Sequence, residues 1–187
     1  MKKVLIASVF GGLTLFVWGA ISWMAFPFHG DDLRPLTNED AVVAAFKAGN
    51  ATTGTYRLPS MARDANKDAV MAKTKAGPVA IIQYTAEGYD PMNPMYYVKG
   101  LLIYIIAMWI AVMMLSKISY SLATYGNRVR FMMMIGVILA VACRLNDWAF
   151  IGYPTKFTLL FAADDIIGWT LAGLVVARFT KPELAKR

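Results

Sequence analysis

The chain has 187 residues, a net charge of +7, and a hydrophobic fraction of 58% against 17% charged residues. Few apolar and many charged residues mark a disordered chain, and several cysteines mark a disulfide-stapled domain, so this composition with one cysteine excludes both. The mean hydropathy of +0.48 exceeds what a soluble domain covers with polar groups. We therefore expect the apolar excess in long runs that cross a membrane.

Four apolar runs are long enough to cross a bilayer, at residues 4–28, 101–118, 131–153 and 157–179. The first run follows Lys2 and Lys3, a start that it shares with cleaved signal peptides. Trp18, however, stands where a processing site needs a small side chain. We therefore predict that residues 1–29 are an uncleaved signal anchor, the first transmembrane helix of a mostly α, polytopic membrane protein.

Basic residues are concentrated in the polar segments on one side of these runs. That side holds a single acid, Glu183, and nine basic residues: Lys2, Lys3, Lys117, Arg128, Arg130, Arg178, Lys181, Lys186 and Arg187. Residues 30–99 carry eight basic and eight acidic residues and are neutral. The positive-inside rule then predicts cytoplasmic N- and C-termini. Since topology accounts for the basic excess, we predict no nucleic-acid partner.

Residues 30–96 are expected to form a small α+β extracytoplasmic cap between helices 1 and 2. Thr37 is the predicted N-cap of a first helix that ends at Gly49. A strand, a helix and a second strand are predicted at residues 53–58, 61–76 and 79–85. The apolar content is small for an independent domain of this length, so the cap is expected to lean on the membrane or on a partner. A structural role and the capture of a ligand or partner both stay open.

Residues 97–187 are predicted to form a three-helix transmembrane region that contains charges at membrane depth. An intramembrane charge cluster is expected from Arg144, Asp147, Asp164 and Asp165. A helix rises about 1.5 Å per residue, which places Arg144 and Asp164 at similar depths. An unpaired charge there costs about 3 kcal/mol, so Arg144 should pair with Asp164 or Asp165, with Asp147 as a competitor.

This cluster has three possible roles. It locks the last two helices together or to a neighbouring subunit, it forms a half-channel for protons or cations, or it contacts a lipid headgroup or a quinone edge.

Two further sets of residues are predicted from their type and position. Small residues for close helix packing are Gly11, Gly12, Gly168, Ala172 and Gly173. Interfacial positions are predicted for Trp23, Trp148, Trp169 and His29. For His29, the only histidine, a haem ligand or a pH sensor is the alternative. One histidine and one cysteine do not make a metal site of the usual N/S type, so we predict no metal and no cofactor.

Several short stretches carry a resemblance that touches most of the chain. They are residues 18–23, 27–29, 38–39, 54–56, 77–78 and 168–174. Together they resemble small bacterial inner-membrane proteins that have no assigned activity. The resemblance implies location in the bacterial inner membrane and transfers no catalytic residue.

The sequence favours a non-enzymatic function. The cap contains no phosphate loop, metal cluster or nucleophile motif. We expect an accessory or scaffolding subunit of an inner-membrane complex, acting through its periplasmic cap and helix faces. Its expected partners are the lipid bilayer and other membrane subunits or a second copy.

The alternative is a small proton or cation transporter or channel subunit that uses Arg144, Asp164 and Asp165. Four spans without an internal repeat leave little room for alternating access. An enzyme ranks last, because its only candidate groups are carboxylates and Cys143, which is expected within the bilayer.

Overall fold

The computed structural model describes residues 2–62 and 66–181 and is mostly helical. Its elements, in chain order, are α1 (Lys2–Met24), α2 (Phe28–Asp32), α3 (Glu39–Ala48), β1 (Gly54–Leu58), α4 (Lys67–Ala76), β2 (Ala80–Tyr84), α5 (Pro94–Lys117), α6 (Tyr125–Leu139), a π-helical turn (Ala140–Leu145), α7 (Asn146–Ile151) and α8 (Thr155–Phe179).

Four helices are long and apolar enough to cross a membrane: α1, α5, the continuous helix Tyr125–Ile151 and α8. They contain 23, 24, 27 and 25 residues, and about 20 are needed to span the hydrocarbon core. The number of helices that are long and apolar enough to span agrees with the prediction, and the pattern is that of a multi-pass membrane protein.

The helix ends differ from the predicted ones for local reasons. α1 ends at Met24, not at residue 28, and the chain resumes after Pro27 as the short helix α2. α5 begins seven residues earlier than predicted, because the Asn93 side chain accepts a hydrogen bond from the Met95 amide and Pro94 fits the first turn. Thr124 caps α6 in the same way, through the Asn127 amide.

The described residues divide into two compact units. The bundle contains the chain up to Arg34 and from Asn93 onward, and the inserted unit is Pro35–Met92. We predicted these boundaries at 29/30 and 96/97. In the structure they lie at 34/35 and 92/93, because α2 packs on α8 and because the Asn93 cap belongs to α5.

In the bundle, α8 packs against α1 and α6, and α1 also packs against α5. Its core is made of buried aliphatic side chains with Met108, Met132 and Trp169. The helices approach to backbone contact at Gly12 and Gly136. A Cβ atom at Gly12 would lie 2.8 Å from Ile105 Cα, and one at Gly136 would lie 2.7 Å from the Asp165 carbonyl oxygen.

All five predicted packing residues are buried: Gly11, Gly12, Gly168, Ala172 and Gly173. The four glycines meet neighbouring helices of the same chain: Gly11 faces Met108 and Val176, Gly168 faces Trp18 and Leu15, and Gly173 faces Met132. These small-residue faces are therefore occupied within the bundle. Gly136 has the same role, although it was not among the predicted packing residues.

The inserted unit contains the predicted order of helix, strand, helix and strand. β1 and β2 pair antiparallel, with Gly54 opposite Tyr84 and Leu58 opposite Ala80. The N-cap of α3 is Asn38, not Thr37, because the Asn38 side chain accepts the Ala41 amide.

Candidate functional site

A group of polar side chains gathers where α1 ends, beside the first half of α8. We call Ser22, His29, Arg144, Asp164 and Asp165 the polar cluster. They come from α1, α2, the π-helical turn and α8. Polar groups at membrane depth are costly unless they are paired, so their contacts define what the cluster can do.

His29 is the most buried titratable group of the polar cluster, with 2% of its surface exposed. Its Nε2 atom lies 2.7 Å from Asp164 Oδ2 and 3.0 Å from Ser22 Oγ. The Ser22 hydroxyl donates to the Asp164 carboxylate, at 2.7 Å and 2.9 Å from its two oxygens. Since the single hydroxyl hydrogen is used there, the network assigns a proton to His29 Nε2, which donates to Asp164.

Aromatic rings enclose the imidazole of His29. Trp23 stacks on it with centroids 4.5 Å apart, and Phe161 meets it edge-on at 5.4 Å. The guanidinium carbon of Arg144 lies 5.2 Å from the centre of the same Phe161 ring. Phe161 therefore contacts both His29 and Arg144, which belongs to the second pair of the cluster.

That second pair joins Arg144 to Asp165. Arg144 Nε lies 2.8 Å and Nη2 3.4 Å from the two Asp165 oxygens, a bidentate arrangement. The Arg144 side chain is 38% exposed and that of Asp165 is 20% exposed. Arg144 belongs to the π-helical turn Ala140–Leu145, and single π turns inside α-helices are frequent at functional sites.

The ion pair of Lys156 with Asp32 holds the other end of α2. Lys156 Nζ lies 2.7 Å from Asp32 Oδ1. The second oxygen, Asp32 Oδ2, is buried and has no hydrogen-bond partner in the structure. Together with His29, this contact fastens the two ends of α2 to α8.

The predicted charge cluster is therefore divided between two neighbouring contacts. Arg144 pairs with Asp165, whereas Asp164 binds His29 and Ser22. Asp147 forms no ion pair with another residue in the described part of the chain. Asp164 and Asp165 differ by about 100° around a helix, which directs them to different neighbours.

Two of the predicted interfacial residues lie inside the bundle. His29 is buried because Pro27 ends α1 and α2 turns the ring toward α8, where the prediction had an apolar run continuing to residue 28. Trp169 is only 9% exposed and belongs to the hydrophobic core. Trp23 and Trp148 are each 46% exposed. The sequence carried no signal for the His29 contact beyond the helix-breaking Pro27.

Within residues 2–62 and 66–181, no group of three or more His, Cys, Asp or Glu side chains is placed to hold a metal ion. Cys143 is exposed and has a free thiol.

The inserted unit has a second notable surface. None of its described residues is buried. Phe46 stacks on Tyr84 at 4.6 Å and meets Tyr56 edge-on at 5.4 Å. Beside these rings, α3, β1 and the residues after β1 line an open groove of about 930 Å³.

The Thr53 side chain links the start of β1 to the segment after β2. The Thr53 hydroxyl donates to Glu87 at 2.6 Å and, with a backbone hydrogen bond, holds the pKa of that exposed carboxyl below its usual value.

No protein-family model, curated protein or solved structure matches this chain, so the chemistry of its two surfaces follows from their own contacts.

Proposed function

We propose that this protein is a non-enzymatic accessory subunit of a bacterial inner-membrane complex, and that its inserted unit docks on a partner protein. One observation carries the proposal: the inserted unit has no buried residue among those the structure describes, although it contains two helices and a sheet. A unit that buries so little apolar surface gains most of its stability from what covers it.

The groove beside α3 offers the surface for that contact. Val42 and Phe46 line one side, and Leu58 and Met61 line the other. Leu58 and Met61 are 53% and 55% exposed. Full burial of side chains of this size contributes about 1.5–3 kcal/mol each, so a partner that fills the groove stabilises both itself and the inserted unit.

Charge favours a protein over a lipid surface as the occupant. Residues 35–92 contain six basic and six acidic residues and have no net charge. An anionic membrane surface attracts clusters of Lys and Arg, and the inserted unit carries no such excess. Balanced charges around an apolar centre are the usual composition of a protein interface.

A photo-crosslinking amino acid in the full-length protein tests whether a partner protein docks in the groove. Placed at position 42, which lines the groove, it should give one adduct with a foreign protein, whereas at position 43 it should give little. Val42 and Val43 are 37% and 44% exposed on the same helix, and Val43 does not line the groove. Val42→Asp should reduce recovery of that partner about tenfold, because the carboxylate is desolvated in the interface, and Val43→Asp should leave it unchanged.

An adduct at twice the mass of the chain would replace the accessory role with self-association. Equal labelling from both positions, or equal loss of the partner in both Asp variants, would contradict docking in the groove.

A second function, as a proton or cation transport subunit, is favoured by one specific contact. His29 and Asp164 are two protonatable groups 2.7 Å apart, and Asp164 belongs to α8, a helix that is apolar enough to span a membrane. Such pairs form proton relays when water reaches them. The Arg144–Asp165 pair, which also contacts Phe161, would then tune the site electrostatically.

Proton flux through the purified protein in liposomes tests the transport role. Asp164→Asn removes the carboxylate that contacts His29 and should abolish flux, while Asp165→Asn should leave part of it. Protein yield and thermal stability of both variants are the control. Wild-type flux equal to that of empty liposomes would eliminate this function.

A further inference from the structure

Two hydrogen-bond donors beside the polar cluster have no acceptor among the described residues. Arg144 binds Asp165 through Nε and Nη2, which leaves Nη1 without a partner there. The Tyr104 hydroxyl of α5 likewise has no hydrogen-bond partner in the described part of the chain. The Arg144 side chain is 38% exposed and Tyr104 is 37% exposed, so a molecule outside the bundle can reach both donors.

Both donors lie well inside helices that are apolar enough to cross a bilayer. Arg144 is seven residues before the end of the helix Tyr125–Ile151, and Tyr104 is ten residues after the start of α5 at Pro94. At about 1.5 Å per residue, they lie roughly 10 Å and 15 Å from those helix ends. Hydrocarbon supplies no acceptor at that depth, and an unpaired donor there costs free energy. The two donors therefore require an acceptor that the described residues do not supply.

The two donors border one cleft. α5 packs mainly against α1, whereas the π-helical turn packs against α6, α7 and α8. The charges of Asp165, Arg144 and Asp164 nevertheless act on the Tyr104 hydroxyl, which therefore lies close to the Arg144–Asp165 pair. Gly19 of α1 leaves the space beside this hydroxyl open. A Cβ atom at Gly19 would lie 3.7 Å from Tyr104 Oη and would meet no other atom of a described neighbouring helix within 4 Å. We call the space bordered by Gly19, Tyr104 and Arg144 the donor cleft.

Charge selects the class of ligand for the donor cleft. The bidentate contact with Asp165 already balances the charge of Arg144, so the pair is neutral. An anion in the cleft would lie beside the Asp165 carboxylate, and a cation would lie beside the guanidinium. The ligand that fits is therefore uncharged and presents acceptor oxygens to the two donors.

We propose that the donor cleft binds the carbonyl oxygens of an uncharged, lipid-soluble molecule, with Arg144 Nη1 and the Tyr104 hydroxyl as the donors. Two sources have this chemistry: a quinone and the ester carbonyl of a phospholipid. A 1,4-quinone has two carbonyls at opposite ends of a flat ring, one for each donor. Phe161, whose ring lies 5.2 Å from the Arg144 guanidinium carbon, gives that ring an aromatic neighbour. The donor cleft belongs to the bundle, and neither proposed function is required for it.

Titration of decylubiquinone into the full-length protein tests the proposal in nanodiscs of ether-linked phosphatidylcholine, where no ester carbonyl competes. Saturable quenching of tryptophan fluorescence and a rise in the thermal unfolding midpoint measure binding. Tyr104→Phe removes one hydroxyl and should weaken binding about three- to tenfold. Tyr153→Phe is the matched control and should leave binding unchanged, because Tyr153 is 36% exposed and precedes α8, outside the donor cleft.

Filling the donor cleft is an independent test that keeps both donors. Gly19→Leu places a side chain in the open space and should abolish saturable binding. Gly126→Leu is its control, because a Cβ atom at Gly126, in the first turn of α6, meets nothing within 4 Å. A Gly19→Leu protein with the wild-type unfolding midpoint and full binding would contradict the location of the site.

Nanodiscs of ester-linked phosphatidylcholine separate the two sources of the carbonyl. Saturable binding of decylubiquinone in ether-linked discs identifies a quinone site. A higher midpoint in ester-linked than in ether-linked discs, without quinone binding and lost in Tyr104→Phe, identifies a lipid ester site. The proposal is overturned if neither ligand distinguishes Tyr104→Phe from Tyr153→Phe. It is also overturned if decyl phosphate displaces decylubiquinone at equal concentration, since the cleft would then select an anion.

Discussion

Replacing Arg128 by methionine is expected to lower the free energy of unfolding of the bundle by about 3 kcal/mol or more. Arg128 is 4% exposed although it carries a full charge. Its Nε atom donates to the Ala177 carbonyl at 3.2 Å, and Nη1 donates to the carbonyls of Leu122 and Ala123 at 3.1 Å and 2.8 Å. One side chain therefore joins the end of α8 to the turn before α6.

Methionine has a similar length and no donor, so Arg128→Met leaves these carbonyls without a partner. Hydrogen bonds from a charged group contribute about 1.5–3 kcal/mol each, and at this buried position little water can replace them. Native-state stability in detergent, followed by denaturant titration, measures the loss.

Arg130→Met is the matched control for this variant. Arg130 lies on the same helix, two residues away, and is exposed, so its replacement should change stability by less than about 0.5 kcal/mol. Equal effects of the two substitutions would show that the Arg128 hydrogen bonds contribute nothing.

Asp164→Ala should destabilise the bundle by about 2–4 kcal/mol, and Asp165→Ala by only about 1 kcal/mol. Without the Asp164 carboxylate, the buried Ser22 hydroxyl and His29 Nε2 lose their acceptor. Without that of Asp165, Arg144 still reaches solvent or headgroups through its 38% exposed side chain.

Each of the two variants is a control for the other, because both residues lie on α8 and both substitutions make the same change in size and charge. Thermal unfolding of both variants in one detergent gives the ranking. A larger loss for Asp165→Ala, or no difference, would contradict the geometry of the polar cluster.

Properties that depend on neighbouring residues in the chain were predictable. A run of apolar residues identifies a span without reference to its partners, and the alternation of helix and strand in the inserted unit follows from local turn and cap signals. The predicted ends of the helices were wrong where a single residue determines the end, as at Pro27 and Asn93.

Contacts between distant residues were not predictable in the same way. Ser22 and Asp164 are 142 positions apart, and whether His29 reaches them depends on how α2 leaves α1. Depth and sequence spacing limited the partner of Arg144 to Asp164, Asp165 or Asp147, but the choice of Asp165 depends on the rotation of α8 and on the π-helical turn. Arg128 and Arg130 count equally in the positive-inside rule, although Arg128 is buried and Arg130 is exposed.

Because α1 packs against α8, this contact forms only after the last helix has been synthesised. The ribosome adds 130 residues between the end of α1 at Met24 and the start of α8 at Thr155, which takes roughly 6–26 s at about 5–20 residues per second. During that interval Ser22 and His29 have no carboxylate acceptor, and the α1 surface that later receives Gly168 and Val176 faces lipid or the insertion machinery. Until α8 is made, α1 therefore lacks its packing partner and the acceptor for Ser22, and α8 supplies both.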